Sequence, residues 1–181
     1  PTLHRLRDEG LITGIGCGEH GGRGYIEAWD PATGRQLWRR YTVPAPGEAG
    51  SETWPATDAW TRGGGPAWLT GSYDPALDLV YWGVGNASPW NAQDRKGDNL
   101  YTASVLAMRP KTGELVWHYQ FTPHDTFDYD GNNELVHADV TVDGKRRKVL
   151  MQANRNGYLY VLDRANGALL AANAFTKTTW A

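Results

Sequence analysis

The sequence predicts an all-β protein that forms part of a β-propeller, about two to three blades with a long loop insertion. The first observation is a repeated hairpin pattern of an alternating apolar strand, a short turn and a glycine, at residues 24–34, 104–113 and 157–167. The second is a tryptophan at the same distance after two of these glycines, at Trp38 and Trp117. The third is a composition with 22 Gly, nine Trp and nine Tyr but only three Phe. Radially arranged sheets require such hairpins, because a large flat ring fills the wedge between neighbouring sheets.

The predicted strands follow the repeats in chain order. Each repeat supplies a strand and a turn whose glycine is suited to positive φ, and a second strand follows. In the third repeat Ala171 stands where the other two have tryptophan. An Asp-Gly pair within residues 142–145 predicts a tight reversal between two further strands. Other strands are expected at residues 11–15, 79–84 and 148–153, and no long amphipathic helix is indicated.

The chain between the first two hairpins, roughly residues 44–99, is predicted to be a long irregular insertion. It is rich in Pro, Gly and Trp, most clearly at residues 44–50 and 63–68. Loops of this length in a compact fold are usually functional or disordered. The many aromatic side chains favour a functional role.

Charge and cysteine content exclude several functions. The formal net charge is −2 with both signs mixed and no basic block, so nucleic acid is not an expected partner. No apolar run approaches the roughly 18 residues of a membrane span. The single Cys17 excludes an intrachain disulfide framework and a metal site made of several cysteines.

Both ends of the sequence look truncated. Residues 1–6 contain neither an initiating Met nor a signal-peptide pattern, and residues 177–181 end without a closing element. We therefore interpret the sequence as a fragment of a longer chain. Expressed alone, it is expected to fold poorly and to be inactive, because an incomplete propeller exposes strand edges and half-buried faces.

An acidic stretch at residues 122–133 is the strongest candidate for a functional site. It holds three carboxylates, Asp125, Asp128 and Asp130, and two amides follow them. In an extended backbone Asp128 and Asp130 point to the same side. Two such carboxylates repel each other unless a cation, a proton or a buried arginine lies between them. The alternative is an ordinary surface turn rich in Asp, Asn and Gly.

Six motifs together resemble the pyrroloquinoline-quinone (PQQ) dependent alcohol dehydrogenases, the methanol and ethanol dehydrogenase family of quinoproteins. The resemblance covers essentially the whole chain, and the motifs occur in the family's order. It implies that residues 1–181 are part of a single PQQ-binding domain, an eight-bladed propeller of four-stranded blades closed by tryptophan-docking motifs. The motifs are Gly-Glu-His-Gly-Gly-Arg-Gly-Tyr (18–25), Gly-Gly-Gly-Pro-Ala-Trp (63–68), Gly-Val-Gly-Asn-Ala-Ser-Pro-Trp (83–90), Gly-Asp-Asn-Leu-Tyr (97–101), Thr-Pro-His-Asp-Thr-Phe-Asp (122–128) and Asn-Arg-Asn-Gly (154–157).

The resemblance assigns roles to five residues. Glu19 and Asn86 are implied as metal ligands that also contact the cofactor, and Asp128 is implied as the catalytic base near the metal. Trp68 is implied as the indole on which the planar quinone stacks. Arg155 is implied as the cation beside the reactive quinone carbonyl, where it stabilises developing negative charge.

Asp130 decides which metal is expected. The Asp-Tyr-Asp pattern at residues 128–130 resembles the lanthanide-dependent branch of the family, whereas calcium-dependent methanol dehydrogenases have a small uncharged residue at the position of Asp130. Glu19 and Asp128 supply two negative charges, and Asp130 adds a third, which suits a trivalent ion. A lanthanide(III) ion is therefore favoured, with Ca²⁺ as the alternative if Asp130 points into solvent. Cys17 is interpreted as a small buried residue near this site.

The implied function is periplasmic oxidation of a primary alcohol to an aldehyde, by hydride transfer to metal-bound PQQ with Asp128 as general base. A c-type cytochrome is the implied electron acceptor, and a homodimer is left open. Residues 66–70 differ from the bulkier pattern of methanol-specific members, which favours a larger alcohol. Two alternatives remain: a PQQ dehydrogenase for sugars or polyols, and a non-catalytic propeller scaffold.

Overall fold

The computed structural model describes residues 10–16, 18–142 and 144–180, and its strands form three antiparallel sheets that follow one another in the chain. Each sheet is a meander in which sequential strands are hydrogen-bonded neighbours. The first sheet contains β1 (Leu11–Gly14), β2 (Tyr25–Trp29) and β3 (Gln36–Tyr41). The second contains β4 (Ser72–Asp74), β5 (Leu79–Val84), β6 (Ser104–Met108) and β7 (Leu115–Gln120). The third contains β8 (Val136–Val142), β9 (Lys145–Ala153), β10 (Tyr158–Asp163) and β11 (Leu169–Ala174).

The predicted all-β, partial-propeller architecture is confirmed. The helical elements in the described ranges are short 3₁₀ turns, at Ser51–Thr53, Ala59–Arg62 and Ala92–Arg95. None of the described helices is long and apolar enough to cross a membrane.

The first tryptophan docks onto the turn of the next sheet. Trp38 of β3 lies against Gly113, where an added Cβ would be 2.5 Å from the indole ring. Its Nε1–H donates to the carbonyl oxygen of Pro110 at 2.9 Å. Gly113 also has a φ of 69°, so both the backbone conformation and the approaching ring require glycine there. The repeat seen in the sequence therefore fixes how the first two sheets pack.

The second tryptophan repeats this packing with one difference. Trp117 of β7 covers Gly167, where a Cβ would be 2.5 Å from the ring. The carbonyl equivalent to that of Pro110 belongs to Arg164, and it accepts a hydrogen bond from the hydroxyl of Tyr81 at 2.7 Å. The buried Nε1 of Trp117 consequently has no partner within the described residues. Tyr81 thus replaces the indole as the donor that joins the second and third sheets.

The middle sheet is buried on both faces. Tyr81 and Val105 of β5 and β6 face a core shared with the third sheet. Their neighbours along the same strands, Trp82 and Leu106, face a core shared with the first sheet. Side chains alternate between the two faces along a strand, and both faces of this sheet are covered. For this reason β5 is buried at every position.

The predicted insertion at residues 44–99 is only partly irregular. It contains β4 and β5, which form half of the middle sheet, so the irregular interpretation is wrong for residues 72–84. The strand predicted separately at residues 79–84 is confirmed as β5. The irregular parts are held by their own small core of Val43, Trp54 and Ala87.

Other expectations have mixed outcomes. Strands β8 and β9 pair as far as Val142 and Lys145, as the Asp-Gly signal predicted, although Asp143 itself lies outside the described residues. Strand β8 was not predicted by itself. Cys17 and the residues 1–9 and 181 also lie outside the described ranges.

Candidate active site

The glycine-rich segment 63–68 joins two of the sequence motifs through its backbone. Gly64 accepts from the N–H of Gly24 at 2.7 Å and donates to the carbonyl of Gly22 at 3.0 Å. Gly65 donates to the carbonyl of Asn86 at 2.8 Å. The segment therefore lies between the first and third motifs and holds them in register.

Trp68, at the end of this segment, follows a backbone that is held by hydrogen bonds, but its ring is exposed. The preceding Ala67 is buried, and its N–H donates to the carbonyl of Ile15 at 2.7 Å. The Trp68 side chain is 53% exposed, unlike the docked Trp38 and Trp117. An anchored indole with an open face can stack on a planar group.

Glu19 lies on a loop that approaches Asn86 closely. The neighbouring Gly18 is buried, and a Cβ there would be 2.7 Å from Cγ of Pro66 and 2.9 Å from Oδ1 of Asn86. Glu19 itself is exposed, but its charge contributes to raising the pKa of Asp128. The glycine thus brings the Glu19 loop, Asn86 and Asp128 into one neighbourhood.

The acidic stretch is a tight loop, so the extended backbone in which Asp128 and Asp130 would point to the same side is not the one it adopts. Asp128 and Asp130 both have φ of 62°, in the left-handed region that non-glycine residues seldom adopt. The buried carboxylate of Asp125 stabilises this loop by accepting backbone N–H groups from Phe127 at 2.9 Å and Tyr129 at 2.8 Å. A carboxylate that accepts from the amides following it is the usual Asx-type support of such a turn.

Arg155 joins the two carboxylates of this loop. Its Nη1 lies 2.8 Å from Oδ2 of Asp130, and its Nη2 lies 3.4 Å from Oδ2 of Asp128. The other oxygen of Asp130 accepts the backbone N–H of Asn86 at 2.7 Å. Of the three ways to relieve the repulsion between the acids, the structure thus shows an arginine, although this arginine is half exposed.

The electrostatics of the loop favour a further positive charge. Burial, followed by the charge of Asp128, raises the pKa of Asp130 to about 6, against the opposing effects of Asn86 and Arg155. Burial also raises the pKa of Asp128, and Arg155 again opposes the shift. One arginine therefore does not fully offset the cost of two carboxylates at this position.

Two residues that the sequence interpretation did not single out support the loop from behind. The buried side chain of Asn154 donates to the carbonyl of Asp130 at 2.9 Å and to Oε1 of Gln152 at 3.0 Å. Gln152 in turn donates to the carbonyl of Gly131 at 2.8 Å. Asn154 belongs to the same Asn-Arg-Asn-Gly motif as Arg155, so that motif was the available signal.

The donor chemistry of the site fits a hard cation. Asp128 and Asp130 offer carboxylate oxygens, and Asn86 offers an amide oxygen beside the space that Gly18 leaves open. Within the described ranges, no three Asp, Glu, His or Cys side chains are already gathered around one point. Ligation of one ion by Glu19, Asn86, Asp128 and Asp130 therefore requires some of these side chains to turn toward each other.

A pocket of about 120 Å³ opens beside Asp128. The exposed rings of Trp90 and Phe127 lie at its walls, so the acid has an apolar surface next to it. Two larger clefts, of about 420 and 580 Å³, contain none of the predicted site residues. The small pocket is lined by Asn86, Ala87, Trp90, Arg95, Asp125, Thr126, Phe127 and Asp128.

Comparison with known proteins gives consistent matches. Residues 12–172 match the family described as glucose/ethanol/alcohol dehydrogenase, beta-propeller domain, of the PQQ proteins. The chain is 48% identical over 184 residues to quinohemoprotein alcohol dehydrogenase ADH IIB of Pseudomonas putida, covering 94% of this chain and 27% of that protein. It is 41% identical over 191 residues to the lanthanide-dependent methanol dehydrogenase of Methylacidiphilum fumariolicum (strain SolV), covering 94% of this chain and 31% of that protein.

Solved structures agree with these matches. A europium-containing methanol dehydrogenase superposes with a TM-score of 0.90 at 41% identity, covering 96% of this chain and 33% of that one. A quinohemoprotein alcohol dehydrogenase from Comamonas testosteroni gives a TM-score of 0.90 at 41% identity, with 96% and 28% covered. The chain therefore spans about a quarter to a third of the length of the relatives it matches.

Proposed function

This chain belongs to the PQQ alcohol dehydrogenase β-propeller family, and from that membership we propose that the protein oxidises a primary alcohol to an aldehyde in the periplasm. Residues 1–181 are part of one PQQ-binding propeller domain in this proposal. The observation that carries it is the meeting of Asn86, Asp130 and Arg155, which come from three distant parts of the chain. A scaffold protein has no need to bring two carboxylates, an amide and an arginine together beside an open pocket.

Asp128 is the proposed general base. It lines the pocket of about 120 Å³, where an alcohol hydroxyl can reach its carboxylate. Its raised pKa makes the carboxylate a stronger proton acceptor than an ordinary surface Asp. Arg155 holds the carboxylate at Oδ2, which limits its rotation.

PQQ, when bound with a metal ion, supplies the carbonyl that accepts hydride from the alcohol carbon. Trp68 provides the exposed, anchored ring on which a planar cofactor stacks. Arg155 provides positive charge beside Asp128 and Asp130. The Arg155 side chain is 49% exposed, so it has room to contact a cofactor as well as the two acids.

Glu19, Asn86, Asp128 and Asp130 are the proposed metal ligands. Three carboxylates and one amide oxygen suit a lanthanide(III) ion, with Ca²⁺ as the alternative. The buried position and raised pKa of Asp130 support a role for its charge inside the site. The names of two relatives, a lanthanide-dependent and a europium-containing methanol dehydrogenase, support the same choice.

A c-type cytochrome is the proposed electron acceptor, supported by relatives described as quinohemoproteins. An alcohol larger than methanol is the proposed substrate, supported by residues 66–70, which differ from the bulkier pattern of methanol-specific members. A homodimer is compatible with this proposal. A sugar or polyol substrate is the second candidate, because the description of the matching family includes glucose dehydrogenases.

The proposal is tested with the full-length protein reconstituted with PQQ and either La³⁺ or Ca²⁺. Dye reduction is followed with primary alcohols of increasing length, glucose and glycerol. We expect turnover with alcohols and a loss of about 10²-fold or more in Asp128→Asn. Asp58→Asn is the matched control, since Asp58 is exposed and, among the residues that the structure describes, forms its ion pair with Arg62. Turnover of glucose or glycerol alone supports the second candidate, and failure to bind PQQ contradicts both.

A further inference from the structure

Arg95 is a buried cation that the roles above do not use. It ends the 3₁₀ helix Ala92–Arg95 and is 2% exposed, yet no carboxylate of the described residues lies within ion-pairing distance of it. Removing a guanidinium from water without an anionic partner is costly. The hydrogen bonds of the buried Arg95 side chain must therefore offset that cost.

Those contacts converge on the two loops that form the pocket. Nε of Arg95 donates to the carbonyl of Pro89 at 2.9 Å, and Nη2 donates to the carbonyl of Asp125 at 2.7 Å. Nη1 donates to Oδ1 of Asn99 at 2.9 Å, and the amide of Asn99 returns a hydrogen bond to the Arg95 carbonyl at 2.7 Å. The planar fork of arginine can hold three acceptors in fixed directions, which a lysine cannot do.

Asp125 carries this constraint to the acidic loop. Its carbonyl is held by Arg95, while its carboxylate accepts the backbone N–H groups of Phe127, Tyr129 and Asp130 at 2.9, 2.8 and 3.3 Å. Phe127 and Tyr129 directly precede Asp128 and Asp130, the two residues whose φ is 62°. A rigid path of hydrogen bonds therefore leads from Arg95 to the backbone that presents Asp128.

We propose that Arg95 is a positioning residue for the alcohol oxidation, fixing the acidic loop so that Asp128 faces the pocket. The inference rests on the proposed function for its catalytic consequence, but the ordering of the loop is independent of activity. Arg95 itself lines the wall of the pocket together with Asp125 and Asp128. It is distinct from Arg155, which contacts the carboxylates directly.

The first test measures loop order without activity. Hydrogen exchange of residues 125–130 is compared in the full-length protein, Arg95→Lys and Arg95→Met. We expect the amides of Phe127 and Tyr129 to exchange at least about tenfold faster in both variants, because opening free energies are set by such local bonds. Arg62→Met is the control, because Arg62 is exposed and its ion pair within the described residues is with Asp58, away from the acidic loop. Unchanged exchange in both Arg95 variants overturns the proposal.

The second test separates positioning from general structural damage. In the PQQ-loaded protein, kcat is expected to fall about 10- to 100-fold in Arg95→Met, because small misplacements of a reacting group have effects of that size. The KM for alcohol and the PQQ content are expected to change less than twofold. The kcat of Arg95→Lys is expected to lie between those of the wild type and Arg95→Met. Asp125→Asn breaks the same path, so its effect combined with Arg95→Met is expected to be less than additive.

The outcomes of the two tests are distinguishable. An additive double variant, or a kcat equal to that of the wild type, overturns the proposal. Loss of PQQ binding in Arg95→Lys as well as Arg95→Met also overturns it, since Arg95 is then a general structural residue. A wild-type protein without alcohol turnover contradicts the proposed function, and hydrogen exchange then still decides whether Arg95 orders the loop.

Discussion

Arg164 joins two aspartates across the boundary between the middle and third sheets. Its Nε lies 2.6 Å from Oδ2 of Asp74 on β4, and its Nη2 lies 3.5 Å from Oδ1 of Asp139 on β8. The side chains of Arg164 and Asp74 are only 8% and 4% exposed. This cluster links separate sheets, and its Arg164–Asp74 pair is closed to solvent, whereas the Asp139 side chain is 45% exposed.

Arg155 also joins two aspartates, but the arrangement differs. Both acids, Asp128 and Asp130, belong to one loop of positive φ, and the arginine is half exposed beside a pocket. The same pair of residue types thus serves packing in one place and leaves charge accessible in the other. A functional cluster is therefore marked by an exposed arginine whose two carboxylates come from one loop, more than by the ion pairs themselves.

We expect the largest difference between the two clusters in the stability of the protein after loss of Arg164. Arg164→Met leaves Asp74 as a buried charge without its partner, so we expect a loss of about 3–5 kcal/mol in the free energy of unfolding. The measurement is denaturant or thermal unfolding of the full-length protein. Below the melting transition, alcohol turnover is expected to remain.

Arg155→Met is the matched variant. Arg155 is half exposed, so we expect a small change in melting temperature together with a large loss of turnover. If Arg155→Met destabilises the protein as much as Arg164→Met, the two clusters do not differ in the way described.

A smaller effect on stability is expected from the titration of a histidine next to the Arg164 cluster. His137 lies beside the Arg164 cluster, where its Nε2 is 2.9 Å from Oγ of Ser72. Burial, followed by the charge of Arg164, lowers the pKa of His137, and Asp74 opposes the shift. Because the folded-state pKa lies below the unfolded value of roughly 6.5, protonation favours the unfolded state.

Stability linked to His137 is therefore fully present above that unfolded pKa and is lost as the pH falls toward the folded pKa. We expect the melting temperature to drop between pH 7 and pH 5 by less in His137→Gln than in the wild type. His20→Gln is the control, because His20 is exposed. Identical pH profiles in the wild type and His137→Gln contradict this assignment.

The fold was largely predictable because its signals are local. The hairpins at Gly113 and Gly167 need glycine within a few residues of a strand, and the sequence displays that spacing directly. Strand β4 has only three residues, too few for a periodic pattern. Strand β8 alternates apolar and polar residues, but it was indicated only through the Asp-Gly reversal and was given no bounds of its own.

The site was predictable only as a list of residue types. The sequence patterns named Asp128, Asp130 and Arg155, but the left-handed backbone of both acids depends on backbone N–H groups that donate to the Asp125 carboxylate. An Asp followed by such amides occurs in many surface turns, so the sequence alone did not indicate this conformation. The buried Arg95 was missed for a similar reason. Its acceptors are carbonyl and amide oxygens from distant loops, so the sequence offers no charge pattern that marks it.

The most direct test of the central claim compares the full-length protein with Asp130→Ala, each reconstituted with PQQ and then supplied with La³⁺ or Ca²⁺. Dye reduction with a short series of primary alcohols is the readout, and metal content is measured on the same samples. We expect the wild type to turn over alcohol with La³⁺, and we expect Asp130→Ala to lose both that activity and the bound La³⁺. Activity in Ca²⁺ that survives Asp130→Ala would contradict the trivalent site, and absence of turnover and of bound PQQ in the wild type would contradict the assignment of alcohol oxidation.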